Sequence, residues 1–313
     1  MADMKYAGFS MAVKSVIFRG RSAGRAARTA LALLAMSVPA WAQPQPAAAL
    51  NPRAAQPERP TVATHAYAVA PGYVELEAGF QRQQDGAQAN RLAVPILLKI
   101  GLGERVQLDL APGLLRDAQG GRARSGITDF LVGVKWRLTD DAPVIGAFAM
   151  QTTVSLPTGS PESGRGSGKA ALNLLAISSH KLGPLALDIN ASYTRLGGES
   201  EVAPRDSTVW TVSTGFPVAG RIGWVAELYG FPGTSGPNGQ PPVVAALTGP
   251  TVTITSSIVL DAGATFDVSR FGGTAIYGGL TWNIGRAWGS PPRPARRPLP
   301  DGSGLITYTA PGR

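Results

Sequence analysis

Residues Gly126–Leu138 read GITDFLVGVKWRL, with Phe130, Val132, Val134, Trp136 and Leu138 on one parity and Asp129, Gly133, Lys135 and Arg137 on the other. Successive side chains of an extended strand point to opposite faces, so the segment offers one apolar face and one that is charged or small. A soluble antiparallel sheet alternates in the same way when a second layer covers its apolar face. The surroundings of the segment separate the two cases.

The alternation recurs along the chain. Val74, Leu76, Ala78 and Phe80 share a parity, as do Leu92, Val94, Ile96, Leu98 and Ile100, and later Leu185, Leu187, Ile189, Ala191 and Tyr193. About twelve such strands fit between Tyr73 and Gly285, at lengths that suit a tilted bilayer crossing of about 9–11 residues. The opposite parity carries Glu75, Glu77, Lys99, Asp109, Asp129, Lys135, Glu227 and Asp261. A small sandwich seldom turns so many charges inward, whereas a water-containing lumen solvates them. Short links such as Gly101–Gly103, Thr139–Ala142 (with the next strand expected from Pro143) and Lys181–Gly183 alternate with longer polar ones such as Arg116–Ser125 and Pro157–Gly168. Outer-membrane barrels show that asymmetry, with short periplasmic turns and long external loops. The expected fold is therefore all-β: a transmembrane antiparallel up-and-down β-barrel over residues 71–288. Its eight inward charges are candidates for a pore lining or, equally on these residues, for an interlocked network that plugs the barrel. Tyr73, Trp136, Trp210, Trp224, Tyr229, Tyr277 and Trp282 fall near strand ends, where interfacial girdles lie.

The flanking segments read differently. Lys14, Arg19, Arg21, Arg25 and Arg28 precede the apolar run Thr29–Val38 and the small-x-small site Ala40–Ala42, the pattern of a signal peptide over residues 1–42, starting at Met1 or Met11. Residues 43–70 are Pro/Ala/Gln-rich and aperiodic, as expected of a flexible periplasmic leader. Residues 289–313 form a Pro/Arg-rich tail that reads as disordered, with a contact to peptidoglycan or a periplasmic partner as its functional alternative.

At 313 residues and 44% hydrophobic content the chain is no disordered polymer, and its zero cysteines exclude disulfides and thiolate metal sites. The net charge of +9 is concentrated at the ends: residues 1–42 carry six Lys/Arg against one Asp, and residues 289–313 four Arg against one Asp. The near-neutral body has no basic stripe, so nucleic acid is not an expected partner.

Catalytic chemistry is sparse. The Gly-rich stretch Thr158–Ala170 fails the phosphate-loop pattern, with Ser163 where a glycine and Ala170 where a Ser or Thr is needed. His65 and His180 are the two histidines; Ser178 and Ser179 adjoin His180, but no third partner is evident and the site falls beside a predicted periplasmic turn. No metal-ligand spacing occurs. The expectation is no enzyme and no cofactor.

Several segments together resemble the outer-membrane transporter family named for the meta-pathway of phenol degradation: APGYVELEAGF at Ala70–Phe80, PILLKIGLGERVQLDL at Pro95–Leu110, SGITDFLVGVKWRL at Ser125–Leu138, SLPTG at Ser155–Gly159 and VAELYG at Val225–Gly230. They occur in the family's order. The resemblance implies an outer-membrane barrel that admits small, often aromatic or apolar compounds, and it places the family's motif positions on Gly126, Asp129 and Lys135 and on Glu227, Tyr229 and Gly230. The expected function is a passive outer-membrane channel for small solutes, exported by the signal peptide and inserted by the assembly machinery into outer-membrane lipid. The alternative is a closed structural or adhesion barrel acting through its external loops and C-terminal tail.

Overall fold

The computed structural model describes residues 51–85, 89–119, 122–269 and 274–289; the expected signal peptide and nearly all of the tail lie outside them. Fourteen extended stretches form one sheet, and two consecutive pairs of stretches are each a single interrupted strand, giving a closed barrel of twelve strands among the described residues. These are β1 (Tyr73–Asp85), β2 (Ala89–Gly101), β3 (Val106–Ala111 and Gly113–Gln119), β4 (Arg122–Ile127 and Phe130–Arg137), β5 (Ala147–Leu156), β6 (Ala171–Leu182), β7 (Leu185–Leu196), β8 (Asp206–Ala219), β9 (Ile222–Phe231), β10 (Val243–Thr255), β11 (Ile258–Asp267) and β12 (Thr274–Arg286). Every strand pairs antiparallel with its sequence neighbours, and β1 pairs with β12 from Tyr73↔Arg286 to Gln83↔Ala275, which closes the cylinder and removes both sheet edges.

The two faces are the reverse of a soluble protein's. Val134, Trp136, Leu172, Leu174, Ile189, Val212, Leu228, Leu260 and Ile276 are exposed on the outer face, while Glu75, Glu77, Lys99, Gln107, Lys135 and Gln151 are buried inside. That arrangement is stable only where the outside is hydrocarbon. Trp136, Trp224 and Trp282 stand outward near the short-turn end and Tyr193 and Trp210 near the other, as girdles do. Tyr229 and Tyr277 do not join them: each is inward and buried, because its parity matches the polar face of its strand.

Two connections depart from expectation. Arg116–Ser125 is no loop; the β3–β4 hairpin stays paired through Arg116↔Ser125 and Asp117↔Arg124 to Gln119↔Arg122. Conversely, the chain from Leu138 to Gly146 is not strand but a long link, with Val144 at φ 72 and almost fully exposed, and β5 starts at Ala147. Replacing Val132, mid-strand on the lipid face of β4, with Arg should lower the folding free energy in bilayers by about 2–4 kcal/mol. Urea titration of vesicle-inserted protein checks this against Lys169→Ala in a loop, which should change it little.

Candidate functional site

The lumen is filled by the chain's own N-terminal segment. Residues 51–72 enter at the short-turn end, where the Ala55 N–H donates to the Ser256 carbonyl (2.8 Å) and Asn283 Nδ2 to the Ala54 carbonyl (3.4 Å). The segment reaches the middle of β1 and β12 at Arg59, crosses the barrel toward β9 and β7, and returns by β6 and β3 to Gly72, whose N–H donates to the Gly101 carbonyl (2.8 Å). The expected flexible leader is thus, over residues 51–70, a packed plug. Ala63, Ala66 and Val69 are buried in it.

An irregular segment has no ladder of its own, so each buried N–H needs another acceptor. The inner wall supplies acceptors for seven. Glu75 accepts from the Gln56 N–H (2.8 Å), Glu77 from Glu58 (2.7 Å), and the two oxygens of Glu227 from Val62 (2.7 Å) and Ala63 (2.6 Å). Asn190 accepts from the Thr64 N–H (2.7 Å) and donates to the Thr64 carbonyl (3.0 Å), Ser179 Oγ accepts from Ala66 (2.9 Å), and Gln107 from Val69 (2.9 Å).

Ion pairs add the side-chain layer. Lys99, fully buried, holds Glu75 (2.6 Å) and Glu77 (2.7 Å) and donates to the Gln56 carbonyl. Lys135, also fully buried, pairs with the plug's Glu58 and donates to the His65 carbonyl (3.2 Å). Gln107 bridges Glu58 (3.2 Å) and Asp109 (2.7 Å), and Arg59 meets Asp261 through two contacts of 3.2 Å. The guanidinium fits because Gly79 and Gly279 lie beneath it; a Cβ at either would stand 2.5 or 2.3 Å from its nitrogens. Buried pairs of this kind select one geometry more than they stabilise it, but removing one partner costs about 3–5 kcal/mol.

At the other end, Asp129 sits in the interruption of β4 and accepts from the Gly159 N–H (3.0 Å), the Ser167 N–H (2.9 Å) and the Ser167 hydroxyl (3.2 Å). It thereby folds the β5–β6 loop, with its short 3-10 turn Pro161–Ser163, onto the rim. Ser200 donates to the Ser167 carbonyl (2.6 Å) and Asn238 to the Ser200 carbonyl (2.6 Å), tying three loops together.

Above the plug, next to β1 and β2, lies a cavity of about 720 Å³ including its open mouth. Arg59, Pro60 and Val62 of the plug form part of its lining, together with Leu247, Tyr229 and Tyr277. The wall beside it is weakened along a seam. The β1–β2 pairing lapses between Ala78↔Ile96 and Gln81↔Ala93, at Pro95, which has no N–H to donate. The β2–β3 pairing lapses between Leu98↔Leu110 and Pro95↔Gly113, at Pro112, and the β3–β4 register slips at Thr128–Asp129. The cavity is lined there by inward Gln81 and Leu97 and also by outward Phe80 and Ile96. It reaches both faces of the sheet.

Of the eight residues singled out from sequence, Glu75, Glu77, Lys99, Lys135, Glu227 and Asp261 touch the plug, Asp109 reaches it through Gln107, and Asp129 holds the external loop. Sequence reasoning missed Gln107, Gln151, Asn190 and Ser179, although they lie on the same inward parity, and missed Glu58 and Arg59, which sit in a stretch without periodicity. Ser178 Oγ lies 2.8 Å from His180 Nε2, but the hydroxyl donates to the Ile145 carbonyl (2.8 Å), leaving its proton engaged away from the imidazole.

Residues 58–277 match the model of the family described as "Putative MetA-pathway of phenol degradation", more than half of the chain. The chain belongs to that family. No curated protein sequence matches it significantly. Among solved structures, an outer membrane channel from Pseudomonas putida F1 is similar at TM-score 0.54 and 13% identity, covering 69% of this chain and 97% of that one, which shows a shared barrel fold. The NanC porin (TM-score 0.46, 8% identity, 67% and 100% covered) and the CymD monoaromatic hydrocarbon channel (0.39, 9%, 70% and 90%) are more distant. The match to this phenol-degradation family begins at Glu58, inside the plug and not at β1.

Deleting residues 51–70 should raise single-channel conductance well above that of the intact barrel in planar bilayers. Two groups of the plug itself make its docking sensitive to acid. His65 is pushed down to about 3, by burial first and then by Lys135. Burial pushes Glu58 up, but Lys135 and Lys99 reverse this and hold it well below 4.5. Both depressed values favour docking at neutral pH, and the His65 contribution is lost first, as pH falls from 6.5 toward about 3. His65→Asn should remove this part of the acid dependence, so conductance of the variant should change less than that of wild type over that window.

Proposed function

We propose that this barrel is a passive outer-membrane route for small apolar solutes, which enter its cavity sideways through the wall between β1 and β2. The observation that carries the reading is the cavity that touches both sheet faces where the β1–β2 pairing lapses. An apolar solute concentrates in the hydrocarbon of the bilayer, so a side entrance spares it the aqueous axis, which the tied loops cover at one end and the plug fills at the other. Leu97, Leu247, Tyr229 and Tyr277 offer it an apolar bed of the kind that small-molecule sites use. Arg59, Pro60 and Val62 floor the cavity, so onward passage to the periplasm requires the plug to shift.

The alternative, a closed structural barrel, draws on the same plug and its wall-held amides. One experiment separates them. Phe80 and Val94 lie opposite each other in register across the lapse, and the chain has no cysteine to interfere. Oxidising the Phe80→Cys/Val94→Cys pair should abolish uptake of a radiolabelled aromatic such as toluene into proteoliposomes, and reduction should restore it, with ion conductance unchanged. A closed barrel would show no protein-dependent uptake in either state.

A further inference from the structure

The upper edge of the apolar outer face is uneven around the barrel. On β1, β2 and β3 the register aligns Arg82, Leu92 and Arg116 in one outward row, directly above the apolar row Phe80, Val94 and Leu114. Both arginines are exposed, as are Phe80 (45%) and Leu114 (46%) beneath them. Two other arginines of this rim face carboxylates: Arg195 pairs with Asp206 at 3.3 Å and Arg205 with Glu199 at 3.2 Å. Arg82 and Arg116 have no carboxylate partner among the described residues; Arg82 is merely steadied by Asn90 Oδ1 at 3.3 Å. They stand two strand spacings apart, about 10 Å, within the joint reach of two extended arginine side chains.

We propose that Arg82 and Arg116 clamp a phosphate of an outer-leaflet glycolipid, with its acyl chains lying down the Phe80–Val94–Leu114 surface. The depth fits, since the row marks the end of the hydrocarbon band, where a lipid phosphate sits. The chemistry fits, since planar guanidinium groups match phosphate oxygens in forked geometry and gain strength beside low-dielectric lipid. The charge fits, since two unneutralised cations turned toward the bilayer call for an anion supplied by it. A lipid held there rests against Phe80, at the outer edge of the lapse between β1 and β2, so its release and the state of the wall become linked. This clamp does not depend on what passes through the barrel.

The test uses the full-length protein in detergent, titrated with diphosphoryl lipid A and read by native mass spectrometry and by thermal unfolding. Wild type should retain one lipid A and unfold at a higher temperature with it. Arg82→Gln/Arg116→Gln should weaken retention about tenfold, while Arg195→Gln, at the same rim but already paired, should leave it intact. Dephosphorylated lipid A should bind the wild type as weakly as diphosphoryl lipid A binds the double variant. Inorganic phosphate alone should not reproduce the stabilisation; if it does, the site reads free phosphate and not a lipid. Equal loss in the double variant and in Arg195→Gln, or no loss in either, overturns the proposal.

Discussion

A chain segment that enters a membrane barrel without forming helix or strand needs acceptors for the N–H groups it buries, and this barrel's wall accepts from seven of them. Glu75, Glu77, Glu227, Asn190, Ser179 and Gln107 each receive a plug amide. They come from strands spread around the cylinder, so the plug is fixed by the closed barrel as a whole and not by one neighbour. Each carboxylate here does what a ladder does in a sheet, at charge-assisted strength. Lys99, Lys135 and Arg59 then balance the carboxylates whose charge would otherwise be buried alone.

The same economy explains where the wall is weak. Pro95 and Pro112 remove ladder donors on both sides of β2, and the interruption of β4 at Asp129 continues the break. Phe80 leans over Gly278 of β12, its ring within 2.9 Å of where a Cβ would stand. At Asp129 the break is used, because a carboxylate released from the strand's regular run captures the backbone of the β5–β6 loop. Plug, cavity and seam therefore meet in one quarter of the barrel, around β1 and β2.

The barrel was legible in the sequence because period two survives in both environments: an outward apolar row and an inward polar one leave the same trace in almost every strand. The inward charges were legible too, but not what they hold. Residues 51–70 carry no period since their backbone amides donate to side chains of distant strands, with separations from 19 residues at Gln56–Glu75 to 165 at Val62–Glu227. Nothing local records such pairings. Tyr229 and Tyr277 lie near strand ends as girdle residues do, but their parity assigns both to the interior, where they pack as core aromatics. The Arg116–Ser125 stretch reads as loop because, beyond Arg116, its polar residues face water on both sides once the hairpin rises past the bilayer.

The lumen stays filled only if the wall holds the plug amides. Hydrogen exchange of the vesicle-inserted protein, resolved at Gln56, Glu58, Val62, Ala63, Thr64, Ala66 and Val69, addresses this most directly. These amides should exchange as slowly as those of β1 and β12, with Val62 and Ala63 accelerating selectively in Glu227→Gln. Exchange at the rate of an unstructured chain, with the strands protected, would contradict it.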